Sequence, residues 1–286
     1  MRAITAPSED PRVVYQTCVN SISDENLRNR LNALTDDIGT IAIYYEQKAT
    51  AELLYTLQIN NCENDDIALG QATKNELKSV YTSHMVPSGK PARTTYDLLI
   101  SRAPLGRCPF CGIGHASTLD HYLPKAKYPQ LSVVPLNLIP SCKDCNTGKS
   151  AAVAITVGDQ CLHPYFDHQN FINEQWVFAE VIHKSPATIR FYVQAPDYWS
   201  ETHKERVRAH FSDFKLAARF SVEASSEVAC LRDIFLLYGD VLGVEGVRMH
   251  LAIQYQAYSK QHKNSWQTAM FQVLAGSDWY CSGGFR

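Results

Sequence analysis

The feature that most restricts this chain is a pair of Cys-x2-Cys motifs, Cys108-Pro-Phe-Cys111 and Cys142-Lys-Asp-Cys145, with 30 residues between them. One such pair alone is weak evidence, since a redox motif or chance can produce it. Two pairs predict a single tetrahedral four-thiolate site with Zn–S distances of about 2.3 Å. Each pair is followed by turn-forming residues, Gly112 and Gly114 after the first, Asn146 and Gly148 after the second. Such turns let successive backbone N–H groups face the sulfurs. With four cysteine ligands no coordination position stays open, so this zinc is expected to be structural and to do no chemistry itself. The remaining cysteines, Cys18, Cys62, Cys161, Cys230 and Cys281, are scattered, and most are expected to be small buried side chains.

The same stretch is the basic part of an otherwise acidic chain. Residues 86–150 carry a net charge of +5, against −5 for residues 1–85 and −2 for 151–286. Four thiolates on a zinc ion would lower the +5 to +3, still locally positive. A positive patch on an acidic body suits selective contact with phosphates rather than indiscriminate coating of nucleic acid. At 286 residues and 45% hydrophobic, the chain can bury the core of one large domain or two modest ones. Its opening, MRAITAPSEDPRVVYQ, has no apolar leader-like run, and no apolar stretch approaches the roughly 20 residues needed to cross a bilayer. The expected setting is therefore cytoplasmic and reducing, without a membrane partner, where paired cysteines are metal ligands rather than disulfides.

Residues 1–20 show no clear period. Ser23 and Asp24 can cap a helix in which Leu27, Leu31 and Leu34 recur at helical spacing. A second helix is predicted through Ile38, Ile41, Tyr45, Ala49 and Leu53, a shorter one over 72–84, and another over TYDLLISRA leading into Cys108. Beyond the cysteines, EQWVFAEVIHK and ATIRFYVQA predict a β-hairpin. WSETHKERVRAHFSDF returns to helix with Ser200 as candidate cap. Residues 220–276 are predicted almost wholly helical, broken at Gly239, Gly243, Gly246 and before Trp266. The fold class expected is α+β: a mostly helical body with a metal-held insert and a hairpin, divided at 1–95, 96–170 and 171–286.

Between the cysteine pairs, LDHYLPK sets Asp120-His121 on a first β-prone run, and SVVPLNLIP is a second that ends with Asn137-Leu-Ile-Pro. Asn146 and TGKSAAVA can then open a helix, so the order is ββα clamped at both ends by one zinc. The pattern Cys-x2-Cys, Asp-His, Asn, Cys-x2-Cys-Asn-x2-Lys resembles the HNH endonucleases, whose catalytic unit is a ββα-metal finger. In this chain His121 takes the first signature position, Asn137 the middle one, and Asn146 the last, where many members have His. The resemblance covers about 45 of the 286 residues and says little about the flanking helices.

What the resemblance implies is a metal-dependent endonuclease. Phosphodiester hydrolysis needs an activated water, a cation on the scissile phosphate and a stabilised leaving oxygen. An imidazole accepts a proton near neutral pH, so His121 is the candidate general base. By resemblance Asp120 and Asn146 are the ligands of the catalytic ion, and two oxygen donors favour Mg²⁺ or Mn²⁺. Asp120 and His121 would point to opposite faces of a regular strand, so both serve one site only if the strand bends or ends there. Asn137 is expected to brace the connecting loop. Lys125, Lys127 and Lys149 are candidates for phosphate contacts, or else for a solvated surface.

DNA is the expected substrate, and RNA fits the same chemistry. One finger makes one nick, so double-strand cleavage needs a dimer or two cuts. The rival reading is a non-catalytic zinc-ribbon module that binds nucleic acid or protein, with Asp120 and His121 merely hydrogen-bonded to each other. His115 is expected to be a loop residue, and His163, Asp167 and His168 in CLHPYFDHQNF a packed corner. LDHYLPK and CNTGK on a long non-basic body also look like the HNH subunits that accompany ABC-type ATPases in bacterial anti-phage systems such as Septu. That implies an ATPase partner or self-association.

Overall fold

The structure, a computed structural model, describes residues 1–148 and 153–286. The chain forms two compact units, Arg2–Asp167 and His168–Arg286, the second also taking in Met1.

The first unit begins with a helix where no period was visible. In α1 (Pro11–Val19), Asp10 caps the N-terminus by accepting from the Arg12 N–H, and Pro11 enters the first turn without needing a hydrogen bond. Val14, Tyr15, Cys18 and Val19 are all buried, but Val13, more than half exposed on the opposite side, blurs the apolar period over these roughly two and a half turns. Asp24 caps α2 (Glu25–Asn32) through the Leu27 N–H. Next, α3 (Thr35–Thr50) buries Ile38, Ala42, Tyr45 and Ala49, and it ends before Leu53. A small hairpin not foreseen from sequence, β1 (Ile67–Leu69) with β2 (Ala72–Thr73), leads into α4 (Lys74–His84). Thr73 and Glu76 form a reciprocal capping box at its start. Glu76 is also gripped by Arg30 of α2 through two bonds of 2.6 and 3.1 Å. After α5 (Arg93–Ser101) the chain enters the cysteine segment.

There, β3 (Thr118–His121) pairs antiparallel with β4 (Leu138–Ser141), setting Asp120 opposite Ile139 and His121 opposite Leu138. Then α6, described over Lys143–Gly148, packs on β3. The predicted second β-run is shorter than expected. Pro129–Leu131 and Pro135–Asn137 are single 3₁₀ turns, and pairing starts only at Leu138. Pro135, whose fixed φ suits the first position of a turn, opens the second of these, and the Asn137 N–H is spent on the Val134 carbonyl at 2.9 Å. The boundary expected at residue 95 does not separate compact units. Helix α5 packs on β3 and β4, and α3 and α4 pack on the turn at 129–131.

The second unit holds α7 (Asn170–Asn173), the expected hairpin as β5 (Val177–Ile182) and β6 (Thr188–Val193), and four further helices. These are α8 (Glu201–Asp213, capped by Ser200), α9 (Leu216–Tyr238), α10 (Gly243–Gln261) and α11 (Trp266–Ala275). Alternate strand residues Ile189 and Phe191 are buried; α9 lies on β6, α11 on β5, and α10 against α11. Gly239 and Gly243 have positive φ and break the helical run, whereas Gly246 is interior to α10 and breaks nothing. Among the described residues, no helix is long and apolar enough to cross a membrane.

Candidate metal centre and the buried strand beside it

The Sγ atoms of Cys108, Cys111, Cys142 and Cys145 all lie within 4.8 Å of one another, and all four residues are buried. Cys111 and Cys142 approach to 3.8 Å. A tetrahedron with arms of 2.3 Å has edges of about 3.8 Å, so the spacing fits a four-thiolate zinc site. Local backbone geometry builds it. The Cys108 N–H donates to the Gly114 carbonyl at 2.8 Å, Gly112 N–H to the Cys108 carbonyl at 2.7 Å, and Ile113 N–H to the Cys111 sulfur at 3.4 Å. Gly112 has φ 73°, a conformation that side chains resist. A Cβ on Gly114 would stand 2.6 Å from the Cys142 Cβ, so only glycine lets the two pairs close on each other. Hydrogen bonding within the cluster holds Cys111 and Cys142 down, Cys142 to about 6, and pushes Cys108 and Cys145 up, so that without a cation the four sulfurs share their protons. Thiolate character is what metal ligation requires. These four cysteines can hold a structural zinc.

Asn137 is fully buried and rivets the loop after His121. Its Oδ1 accepts from the Leu123 N–H at 2.7 Å, and its Nδ2 donates to the carbonyls of Leu123 at 3.0 Å and Leu131 at 3.3 Å. Its own carbonyl accepts from the Tyr122 N–H at 2.8 Å. The His121 ring is 9% exposed, and its Nε2 lies 2.8 Å from the Ser132 carbonyl. A carbonyl only accepts, so Nε2 carries a hydrogen, and in the neutral form of the ring the lone pair is that of Nδ1. Ser132 is itself tied down, its hydroxyl donating to the Leu77 carbonyl of α4 at 2.7 Å.

Asp120 is 6% exposed on the same strand. Asn146, half-buried on α6, donates from Nδ2 to the Thr118 hydroxyl at 3.1 Å and the Leu119 carbonyl at 3.5 Å. This leaves its amide oxygen as the candidate ligand atom. The same Leu119 carbonyl accepts from the Tyr81 hydroxyl of α4 at 3.2 Å, and the Tyr81 ring meets the His121 ring edge-on, centroids 4.5 Å apart. Burial pushes the Tyr81 phenol well up, and the charges of Tyr96 and Asp120 push it further. Through Tyr81 and one carbonyl, His121 and Asn146 thus belong to a single continuous cluster.

Lys125 stands half-buried with its ammonium 4.6 Å from the Tyr81 ring centroid. Burial, then the charge of Lys78, lowers its pKa. Lys127 is half-buried and pins Asn60 through its backbone carbonyl at 2.9 Å; Lys149 lies outside the described residues. His115 is exposed and bridges Arg107 by backbone alone. His163 fills a packed corner, 2% exposed, bonded to the Tyr45 hydroxyl at 3.0 Å, its ring tilted 32° against that of Tyr122 with centroids 4.1 Å apart. Asp167 holds that corner by accepting from the His163 N–H at 2.6 Å. His168 belongs to the second unit. Sequence reasoning missed Tyr81 and Ser132. Tyr81 follows Leu77 and Val80 on the buried stripe of α4, where its pattern is that of any core residue.

Fold and centre together define an α+β protein organised around four buried cysteines that can bind a metal. Across an alignment of 297 residues the chain is 32% identical to Protein ea31 of Escherichia phage lambda, covering 99% of this chain and 100% of that protein. The chain belongs to the family of that phage protein. No family model and no solved structure matches it.

Proposed function

We propose that this protein is a metal-dependent endonuclease of the HNH type, hydrolysing phosphodiester bonds in DNA. The observation that supports it best is the setting of His121, at the end of a strand that is backed by α6 and closed off by the cysteine cluster. Its Nε2–H is held by the Ser132 carbonyl at 2.8 Å, so Nδ1 is the atom that would take a proton from water. The carbonyl stabilises the imidazolium that results.

Asp120 and the amide oxygen of Asn146 form a hard donor pair that would hold Mg²⁺ or Mn²⁺. Once bound, that ion supplies Lewis-acid polarisation of the phosphate and steadies the departing 3′ oxygen. Asn137 keeps the loop beyond His121 in register, and Lys125 is the cation that would meet the phosphate. The four cysteines hold the structural zinc away from the chemistry.

The test is a plasmid-nicking assay with Mg²⁺ or Mn²⁺ on wild type, His121→Ala and Asp120→Asn, with an RNA substrate run alongside. Nicking by wild type that both variants lose is the expected result. Equal inertness of all three across DNA, RNA and both metals sinks the proposal. A second reading, a zinc-ribbon binding module without turnover, is favoured by one observation: Asp120 and His121 are only 6% and 9% exposed. Under that reading His121→Ala binds an oligonucleotide as wild type does and neither protein cleaves it. The wider proposal, a cytoplasmic anti-phage role with an ATPase partner or a homo-oligomer, rests on the motif resemblance alone. Copurification with a coexpressed ATPase, and the mass of the purified protein in solution, test its two halves.

A further inference from the structure

Helix α4 lies outside the cysteine-held segment, yet it reaches into it at three points. The Leu77 carbonyl accepts from Ser132, whose own carbonyl holds His121. The Tyr81 hydroxyl donates to Leu119 on β3. The Tyr81 ring touches the imidazole of His121 at 4.5 Å and the ammonium of Lys125 at 4.6 Å between centroid and Nζ. Lys78 sits one turn before Tyr81 on the same helix, its Nζ tethered 2.9 Å from the Asn64 amide oxygen. Among the described residues, Lys125 has no hydrogen bond or carboxylate to match its half-buried charge. A desolvated ammonium resting on an aromatic ring is stabilised far more by an added anion than a solvated one is.

We propose that Tyr81 is a positioning residue, a platform that sets the His121 imidazole and the Lys125 ammonium around one phosphate of a nucleic-acid backbone. The proposal rests on the endonuclease reading for its chemistry, but not for its binding step. The ring fixes two groups that the chain alone leaves independent: His121 ends a strand, whereas Lys125 lies in the loop that follows. Lys78 adds a second positive charge on the approach to that phosphate. The ligand class is a phosphodiester backbone rather than a free base, because the two groups that the ring brings together here are an ammonium and an imidazole.

Two measurements on the full-length, zinc-loaded protein test this. The first is binding of a fluorescent single-stranded oligonucleotide without added magnesium, at several salt concentrations. Lys125→Gln is expected to flatten the log–log salt dependence by about 0.7, as loss of one phosphate contact to a single strand does. Tyr81→Leu should do the same, while Tyr81→Phe, which keeps the ring, should bind as wild type. The second is nicking kinetics. Tyr81→Leu is expected to lower kcat about 10–100-fold through misplacement of the imidazole, with Tyr81→Phe restoring it, whereas Lys125→Gln raises KM and leaves kcat near wild type.

Unchanged salt dependence in both Tyr81→Leu and Lys125→Gln overturns the proposal even if wild type nicks DNA. An inactive wild type that still shows the expected binding pattern defeats the endonuclease reading and leaves the platform standing. If Tyr81→Leu loses its zinc or its cooperative melt, the contrast between Lys125→Gln and Tyr81→Phe carries the test. Identical salt slopes for those two overturn it.

Discussion

Both units bury polar side chains, and they do so in closely similar ways. In the first, Asn137 spans a loop with three side-chain bonds; in the second, Asn264 accepts from the Trp176 and Val177 N–H groups at 2.7 and 3.1 Å and donates to Phe171 and Glu174. Each also buries ionisable groups, Asp120 and His121 in one, Arg206 and His210 in the other. Buried polarity alone therefore marks no chemistry. The difference lies in the surroundings. Arg206 and His210 sit on α8 against aromatic rings, Phe171 for the arginine and Trp176 and Phe214 for the histidine. His121 also meets an aromatic ring, that of Tyr81, but it shares a short strand with Asp120, its Nε2 lies against the Ser132 carbonyl, and the same ring carries the ammonium of Lys125.

The largest effect that can break this comparison is loss of the metal. Zinc binding in small zinc domains is worth about 10–16 kcal/mol, as much as or more than the stability of a typical domain. Stripping zinc, or Cys108→Ser, is expected to abolish amide-exchange protection in residues 2–167 and to leave 168–286 protected. Equal loss in both units, or no zinc in protein purified without chelators, contradicts the cradle. Next in size is the contrast between two buried histidines. His121→Ala is expected to cut nicking by roughly 10²–10⁴-fold, while His210→Gln leaves the rate of folded protein unchanged. Similar losses from both would mean that the assay reads stability.

The two asparagines should be equivalent where the histidines are not. Asn137→Ala and Asn264→Ala each strand backbone groups that water cannot reach, at a cost of about 2–3 kcal/mol in urea unfolding. A loss confined to one shows that the other brace is redundant. The smallest effect concerns the half-buried Arg30–Glu76 pair of the first unit. Arg30, above all through its side-chain hydrogen bond, holds the Glu76 carboxyl below its ordinary range. A depressed carboxylate stabilises the fold above its unfolded pKa, and that contribution is lost as pH falls through the folded pKa. Melting should thus weaken on acidification through the carboxylate range, and Arg30→Gln should remove part of that slope.

Much of this was legible from the chain. The spacing of the cysteines foretold their cluster, since two short Cys-x2-Cys pairs are the spacing that a four-thiolate site needs. Asp24 and Ser200 announced their helices by chemistry that acts within three residues. The alternation in VFAEVI and TIRFYV announced the hairpin. Where the reading failed, local signals were absent or misleading: the exposed Val13 blurs the period of α1, a 3₁₀ turn opening at Pro135 cut back a β-prone run, and Gly246 continues a helix that it was expected to break.

By itself, then, the sequence determined the four-cysteine cluster that can hold a metal and most of the regular elements, because caps, turns, periodicity and paired cysteines are properties of near neighbours. Only the tertiary structure decided what surrounds His121. Ser132 lies 11 residues away along the chain, and Tyr81, donating to Leu119 across 38, is recognisable in sequence only as one more buried position on a helix. A side chain's partners across space follow from how whole elements pack, and packing is a sum over the unit that no short stretch records.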